Sequence, residues 1–190
     1  DSSYYLTNWI DAKEVNFDDI NQIKDCVKLL AEFHENAKGF DATGIKMKNN
    51  IGKIFNIYNE KIQLMNVFKN KIDNMKNINI FDMMYKKNII YYIDQAKQCI
   101  ELLKRSDYMA ICEEINKEKY VCHNSFYYQN ILKDSNNNYF IIDFESCLYD
   151  LPLIDLAKFI RRIMSRKNFL WNFNCCKELI NEYSQIKKIN

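Results

Sequence analysis

Residues 122–145, CHNSFYYQNILKDSNNNYFIIDFE, decide how the rest of the chain is read. Two aliphatic and aromatic runs, NILKD and YFIIDFE, flank the polar stretch SNNN, the pattern of two short strands joined by a turn. A turn on Ser135 to Asn138, centred between Asn136 and Asn137, sets Leu132 against Ile141 and Asn130 against Asp143. A carboxamide and a carboxylate then meet at the open end of the ribbon. Opposed side chains have Cβ atoms roughly 4.5–5.5 Å apart, so two oxygen donors can share one hard cation such as magnesium. The same two residues also suit a hairpin end as ordinary polar groups bonded locally, and the pairing alone leaves both readings open.

Away from the hairpin, apolar residues recur at helical steps. Asp18 or Asp19 caps a helix carrying Ile20, Ile23, Val27, Leu30, Ala31 and His34 on one face, with Gly39 as its stop. His34 reads there as a packing residue. Further helices are predicted over about 51–75, about 89–103, a short span after Ser106, about 154–165 and about 171–186. YYLTNWI, residues 4–10, is aromatic and β-branched enough for a short strand. Three glycines and one proline in 190 residues favour long helices over many-stranded sheets. The fold class is mainly α (α+β), in one mostly helical domain.

With 48% hydrophobic and 14% aromatic residues, the chain can bury a core of its own. Twenty-seven basic against 25 acidic residues leave a net charge of +2, and the signs are interspersed. That balance gives no electrostatic footprint for nucleic acid or for a membrane. The apolar runs fall far short of the roughly 20 residues that span a bilayer, and DSSYYLTNWID lacks the basic region followed by an apolar one that marks a leader. The seven cysteines are odd in number and form no C-x-x-C pair, so neither disulfides nor zinc is expected, and a reduced intracellular setting fits.

His123 precedes Asn130 by the spacing of the kinase catalytic loop H-R-D-x-x-x-x-N, in which the Asn and a later Asp hold the metal. CHNSFYYQNIL, with YFIIDFESCLYDLPLIDLAKFIRR after it, resembles the carboxy-terminal lobe of aminoglycoside phosphotransferase and choline kinase relatives. Those proteins carry H-G-D-x-x-x-x-N, then I-D-[FW]-E and D-P-x-x-D-L-A. More narrowly, YYLTNWIDAKEVNF, LAEFHENAKGF and DLPLIDLAKFIRR resemble spore-coat proteins of the CotS type, a kinase-like branch, and the likeness covers nearly the whole chain.

The resemblance implies the helical C-terminal lobe of a protein-kinase-like phosphotransferase, with about six helices and one small β-hairpin. It implies Asn130 and Asp143 as ligands of Mg2+, His123 as support of the loop, and Asp155 as its buttress from the start of a helix. Asn8, Trp9 and Ile10 fall at the hinge, beside the adenine of ATP. Residues 1–10 then correspond to the last strand of the amino-terminal lobe and the hinge, and 11–190 to the helical lobe.

Two departures bear on activity. Ser125 stands where the family has its catalytic Asp, and an aliphatic hydroxyl is no base near neutral pH, whereas a carboxylate with a reference pKa of about 3.9 is ionised. No G-x-G-x-x-G loop or strand-borne lysine is present to cover the phosphates, so the chain is expected to be a fragment that binds neither ATP nor Mg2+ alone. Two functions remain in view. One is a catalytically weakened or inactive kinase-like coat or sporulation protein, a pseudokinase serving as scaffold or binding module among other spore coat proteins, in the mother-cell cytoplasm and the spore coat. The other is an ATP-dependent phosphotransferase acting on a hydroxyl of a small molecule, with another carboxylate or the substrate replacing the base. Self-association is expected through apolar surface near Tyr4 to Trp9 and the hairpin mouth.

Overall fold

The computed structural model describes residues 6–189. In chain order the elements are β1 (Lys13–Glu14), α1 (Ile20–Asn36), β2 (Lys48–Asn49), α2 (Ile54–Asp73), α3 (Ile80–Lys104), α4 (Tyr108–Glu118), β3 (Val121–Cys122), β4 (Ile131–Lys133), β5 (Tyr139–Ile141), β6 (Leu148–Tyr149), α5 (Pro152–Met164) and α6 (Phe173–Ser184). Single 3₁₀ turns lie at Tyr128–Asn130 and Phe144–Ser146. These residues form two compact units: residues up to 49 together with 118 onward, and residues 50–117.

In the first unit, Asp19 caps α1 by accepting from the Asn21 N–H at 2.9 Å. The stripe Ile23, Cys26, Val27, Leu30, Ala31 and His34 is buried, as its three- and four-residue steps require. α5, with Pro152 in its first turn, brings Leu156, Phe159 and Ile163 to that stripe, and α6 adds Leu179 and Tyr183. Past the end of α1, Gly39 takes φ +78° and its N–H donates to the Glu118 and Lys119 carbonyls, a backbone conformation a side chain resists.

Two three-stranded sheets flank this helical core, with strand orders β1-β4-β5 and β2-β6-β3. The first is antiparallel throughout; in the second, β2 runs parallel to β6 and β3 antiparallel to it. Ile131 anchors β4 in the core, and the Tyr139 hydroxyl donates to Asp25 Oδ2 at 2.8 Å, tying β5 to α1.

The hairpin differs from the expected register by one residue: Leu132 faces Phe140 and Ile131 faces Ile141. The cause is the turn. The Asp134 N–H donates to the Asn138 carbonyl at 3.0 Å and the Asn138 N–H to Asp134 Oδ1 at 2.8 Å, leaving only Ser135, Asn136 and Asn137 to reverse the chain. Asn137 closes the loop at φ +63°, the left-handed conformation that completes a three-residue hairpin and that asparagine tolerates well.

A second correction concerns the expected strand over 4–10. Residues 4 and 5 lie outside the described residues, and Leu6–Ile10 form no strand. Among the described residues no strand lies beside them to complete a ladder; the pairing segment is Lys13–Glu14, against β4.

The second unit holds α2, α3 and most of α4. α2 and α3 pack together, with the Tyr85 hydroxyl on the Met65 carbonyl at 3.2 Å and Asp73 receiving Lys69 and Lys86 at 2.8 and 2.7 Å. α3 begins at Ile80 rather than near Ile89, because Asn79 and Asp82 form a reciprocal capping box with both bonds at 3.0 Å. No helix among the described residues is long and apolar enough to cross a membrane.

Candidate functional site

β3 delivers His123 to the interior, where its ring is fully buried. Nε2 lies 3.0 Å from the Ile142 carbonyl, which can only accept, so Nε2 carries the proton. Nδ1 is then bare and accepts the Ser125 N–H at 3.3 Å. The imidazole is therefore neutral, and burial pushes its pKa below the usual 6.5. One ring thus joins the 123–130 loop to the end of β5.

The loop is gripped from the other side by α5. Asp155 accepts the Asn124 N–H with both carboxylate oxygens, at 3.0 and 3.1 Å, where Asn124 turns left-handed at φ +64°. Lys158 donates to the Asn124 side-chain oxygen, and Arg162 donates to the Phe126 carbonyl at 3.4 Å while stacking on Tyr127 at 4.8 Å. Asp155, Lys158 and Arg162 lie three and four residues apart, one face of one helix. Behind Asp155, His34 Nε2 stands 3.4 Å from Oδ2, and His34 Nδ1 accepts the Tyr183 hydroxyl at 2.7 Å. Burial pushes Asp155 up, but the His34 N–H, the Asn124 N–H and the Lys158 charge outweigh it and hold the carboxyl below its ordinary range. His34, like His123, is pushed down by burial.

Both histidines being held neutral, the unfolded chain takes up protons before the folded one as pH falls through 6.5. The stability they contribute is complete above that pH and is lost on acidification below it. Asp150, which burial pushes up, contributes with the opposite sign. The melting temperature of the Asp150→Asn variant should therefore fall steadily from about pH 6.5 to 5, and a flat profile would mean that the histidines are not held neutral.

Asn130 and Asp143 come together, although not by the expected cross-strand pairing. In the observed register the carbonyl of Asn130 receives the Ile142 N–H at 3.0 Å, so Asp143 lies just beyond the ladder. Its backbone turns left-handed, φ +64° and ψ +67°, before the 144–146 turn, and its carboxylate lies at 3.3 Å from Asn130 Nδ2. The same Nδ2 donates to the Ser125 carbonyl at 3.0 Å and lies 3.3 Å from the Ser125 hydroxyl. Ser125, Asn130 and Asp143 thus share one point.

Of the three, Asp143 lines a groove of about 860 Å³. Asn8, Trp9 and Ile10 line it together with Asp143, Phe144 and Glu145. Leu6 and Trp9 are 98% and 91% exposed and Phe144 is 50% exposed, so apolar surface is on display along this edge; Tyr4 lies outside the described residues.

The roles of His34, Tyr183, Lys158 and Arg162 were not anticipated from the sequence. The α5 spacing was a usable signal for Lys158 and Arg162, but no short motif links His34 to Asp155, 121 residues away. His34, Cys122 and Asp155 also bring possible ligand atoms within 4.8 Å of one another. Both His34 nitrogens are engaged by Tyr183 and Asp155, so the group reads as a sealed hydrogen-bond network.

No family model matches the chain. Spore coat protein S of Bacillus subtilis (strain 168) is 23% identical over 189 residues, 97% of this chain and 52% of that protein. The crystal structure of an aminoglycoside phosphotransferase from Alicyclobacillus acidocaldarius subsp. acidocaldarius DSM 446 matches with a TM-score of 0.80 at 18% identity, covering 95% of this chain and 52% of that one. The chain therefore spans about half the length of each of these two proteins.

Proposed function

From the kinase-like fold shared with a phosphotransferase, and from the likeness to a spore coat protein, we propose that this chain is the helical lobe of a kinase-like spore-coat protein. In that reading Asn130 and Asp143 hold the magnesium ion that accompanies ATP, and Asn8, Trp9 and Ile10 flank the nucleotide base. His123 and Asp155 keep the loop in place. Transfer is weak or lost because Ser125 supplies a hydroxyl where a base is needed, and the protein serves as a binding module or scaffold among other coat proteins.

The observation that carries this reading is the convergence of Ser125 and Asn130 with Asp143, which itself lines the groove that Asn8–Ile10 also line. The donor chemistry fits magnesium, a hard cation bound through one or two protein oxygens with waters and phosphates completing its shell. As it stands, the amide Nδ2 of Asn130 faces Asp143, so the amide must rotate to present its oxygen to a shared cation. A bound magnesium ion would neutralise charge on the nucleotide phosphates.

Asp143→Asn in the full-length protein tests the site, since asparagine keeps the left-handed backbone accessible while removing the charge. Magnesium-dependent ATP binding, measured by calorimetry with and without the metal, should weaken by about tenfold or more. Equal affinity in the variant would remove Asp143 from the site. A second reading, a working phosphotransferase for a small hydroxylated molecule, is favoured by the fully built support around the loop. Self-association through the apolar edge at Leu6, Trp9 and Phe144 belongs to either reading.

A further inference from the structure

Phe144 and Glu145 face two cavities. One is the groove described above; the other, of about 490 Å³, lies among Phe33, Phe40, Ile45, Met47 and Phe144. Its size is that of a small-molecule site, for which about 300–1,000 Å³ is usual. Phe40, Ile45 and Phe144 are 48%, 63% and 50% exposed, so large apolar side chains that a folded unit would otherwise cover are turned to this space. Its charged lining is one Lys46 and one Glu145. They offset each other, so the pocket offers no excess negative charge to a polycation and no excess positive charge to a phosphate.

We infer that this pocket binds a small uncharged molecule with an aromatic or branched alkyl body and a single hydroxyl or similar donor. The body packs against Phe40, Ile45 and Met47. The donor meets the Glu145 carboxylate, which also lines the neighbouring groove. A polyamine is disfavoured because one carboxylate cannot neutralise several ammonium groups beside Lys46, and desolvating the surplus charge against apolar walls is costly. The inference concerns binding alone and does not depend on nucleotide or metal.

The test uses 2-naphthalenemethanol and spermine as probes, each titrated into the full-length protein with EDTA and no nucleotide, and read by saturation-transfer NMR and calorimetry. Naphthalenemethanol should bind saturably, and Phe40→Asp and Ile45→Asp should each weaken it by about tenfold or more. Leu170→Asp, exposed in the same unit but outside the pocket, should change it by less than about twofold. Ile45 is largely exposed, so its variant keeps the fold even where Phe40→Asp does not, and melting curves check both. Non-saturable binding, equal losses in all three variants, or tighter binding of spermine would overturn the inference. Because metal and nucleotide are absent, failure at Asn130 and Asp143 leaves this result readable.

Discussion

Ser125→Asp in the full-length protein raises magnesium-dependent ATP turnover by about 10²–10⁴-fold, the usual worth of a positioned general base. The backbone at 125 is already held from both ends, its N–H on His123 Nδ1 and its carbonyl on Asn130 Nδ2. A carboxylate introduced there arrives on a preset frame, with the Asn130 amide within 3.3 Å of the present hydroxyl oxygen. Phosphoryl transfer depends mainly on positioning and charge neutralisation, so the parent should retain a trace of turnover and the variant should gain in kcat more than in KM for ATP. Steady-state assays of parent and variant decide the matter. A variant that folds and binds nucleotide yet turns over no faster would sink the account of Ser125 as the missing base, and a parent already as fast as ordinary kinases would favour the working-enzyme reading.

Asp155→Ala should cost about 3–5 kcal/mol of stability, because two buried donors lose the charged acceptor they share. The carboxylate is 2% exposed and accepts from two directions, the Asn124 N–H and His34 Nε2. Truncation strands both donors: the His34 N–H stays sealed in the core, and the loop loses the contact that fixes its left-handed turn. For a chain of this size the melting temperature should drop by about 6–20 °C. Asp155→Asn keeps one acceptor and should fall between the two. A melting temperature within about 2 °C of the parent for Asp155→Ala would show that the loop is held by Lys158 and Arg162 without it.

Most of the helical lobe was legible because its apolar stripes are regular: α1, α5 and α6 each bury one face, and Asp19 starts α1 as its chemistry requires, while the helix stops at Asn36, three residues before the expected Gly39. The first turns of α3 were missed because Ile80, Phe81, Met83 and Met84 point outward, which hides the period; the Asn79 to Asp82 box was the better signal. The meeting of Asn130 and Asp143 was expected for an incomplete reason. Symmetric pairing around the SNNN turn does not occur, since the left-handed Asn137 shortens the loop, and a backbone turn at Asp143 restores the approach. Such turns are set by the surrounding packing and leave no periodic trace in the sequence. Ser125, by contrast, was read directly from its place between His123 and Asn130.

The left-handed backbone of Asp143 ties conformation to chemistry at a single residue. Glycine would adopt φ +64° without the roughly 1–2 kcal/mol penalty borne by side chains with a Cβ, but it would carry no ligand. Glutamate would keep a carboxylate at the price of greater crowding and an altered reach. Asparagine tolerates the angle but brings a neutral oxygen, so aspartate alone joins a charged ligand to that backbone, and selection on the fold alone would drift this position toward glycine. Whether aspartate or glycine stands at this position in related chains is therefore a natural gauge of whether a cation binds there.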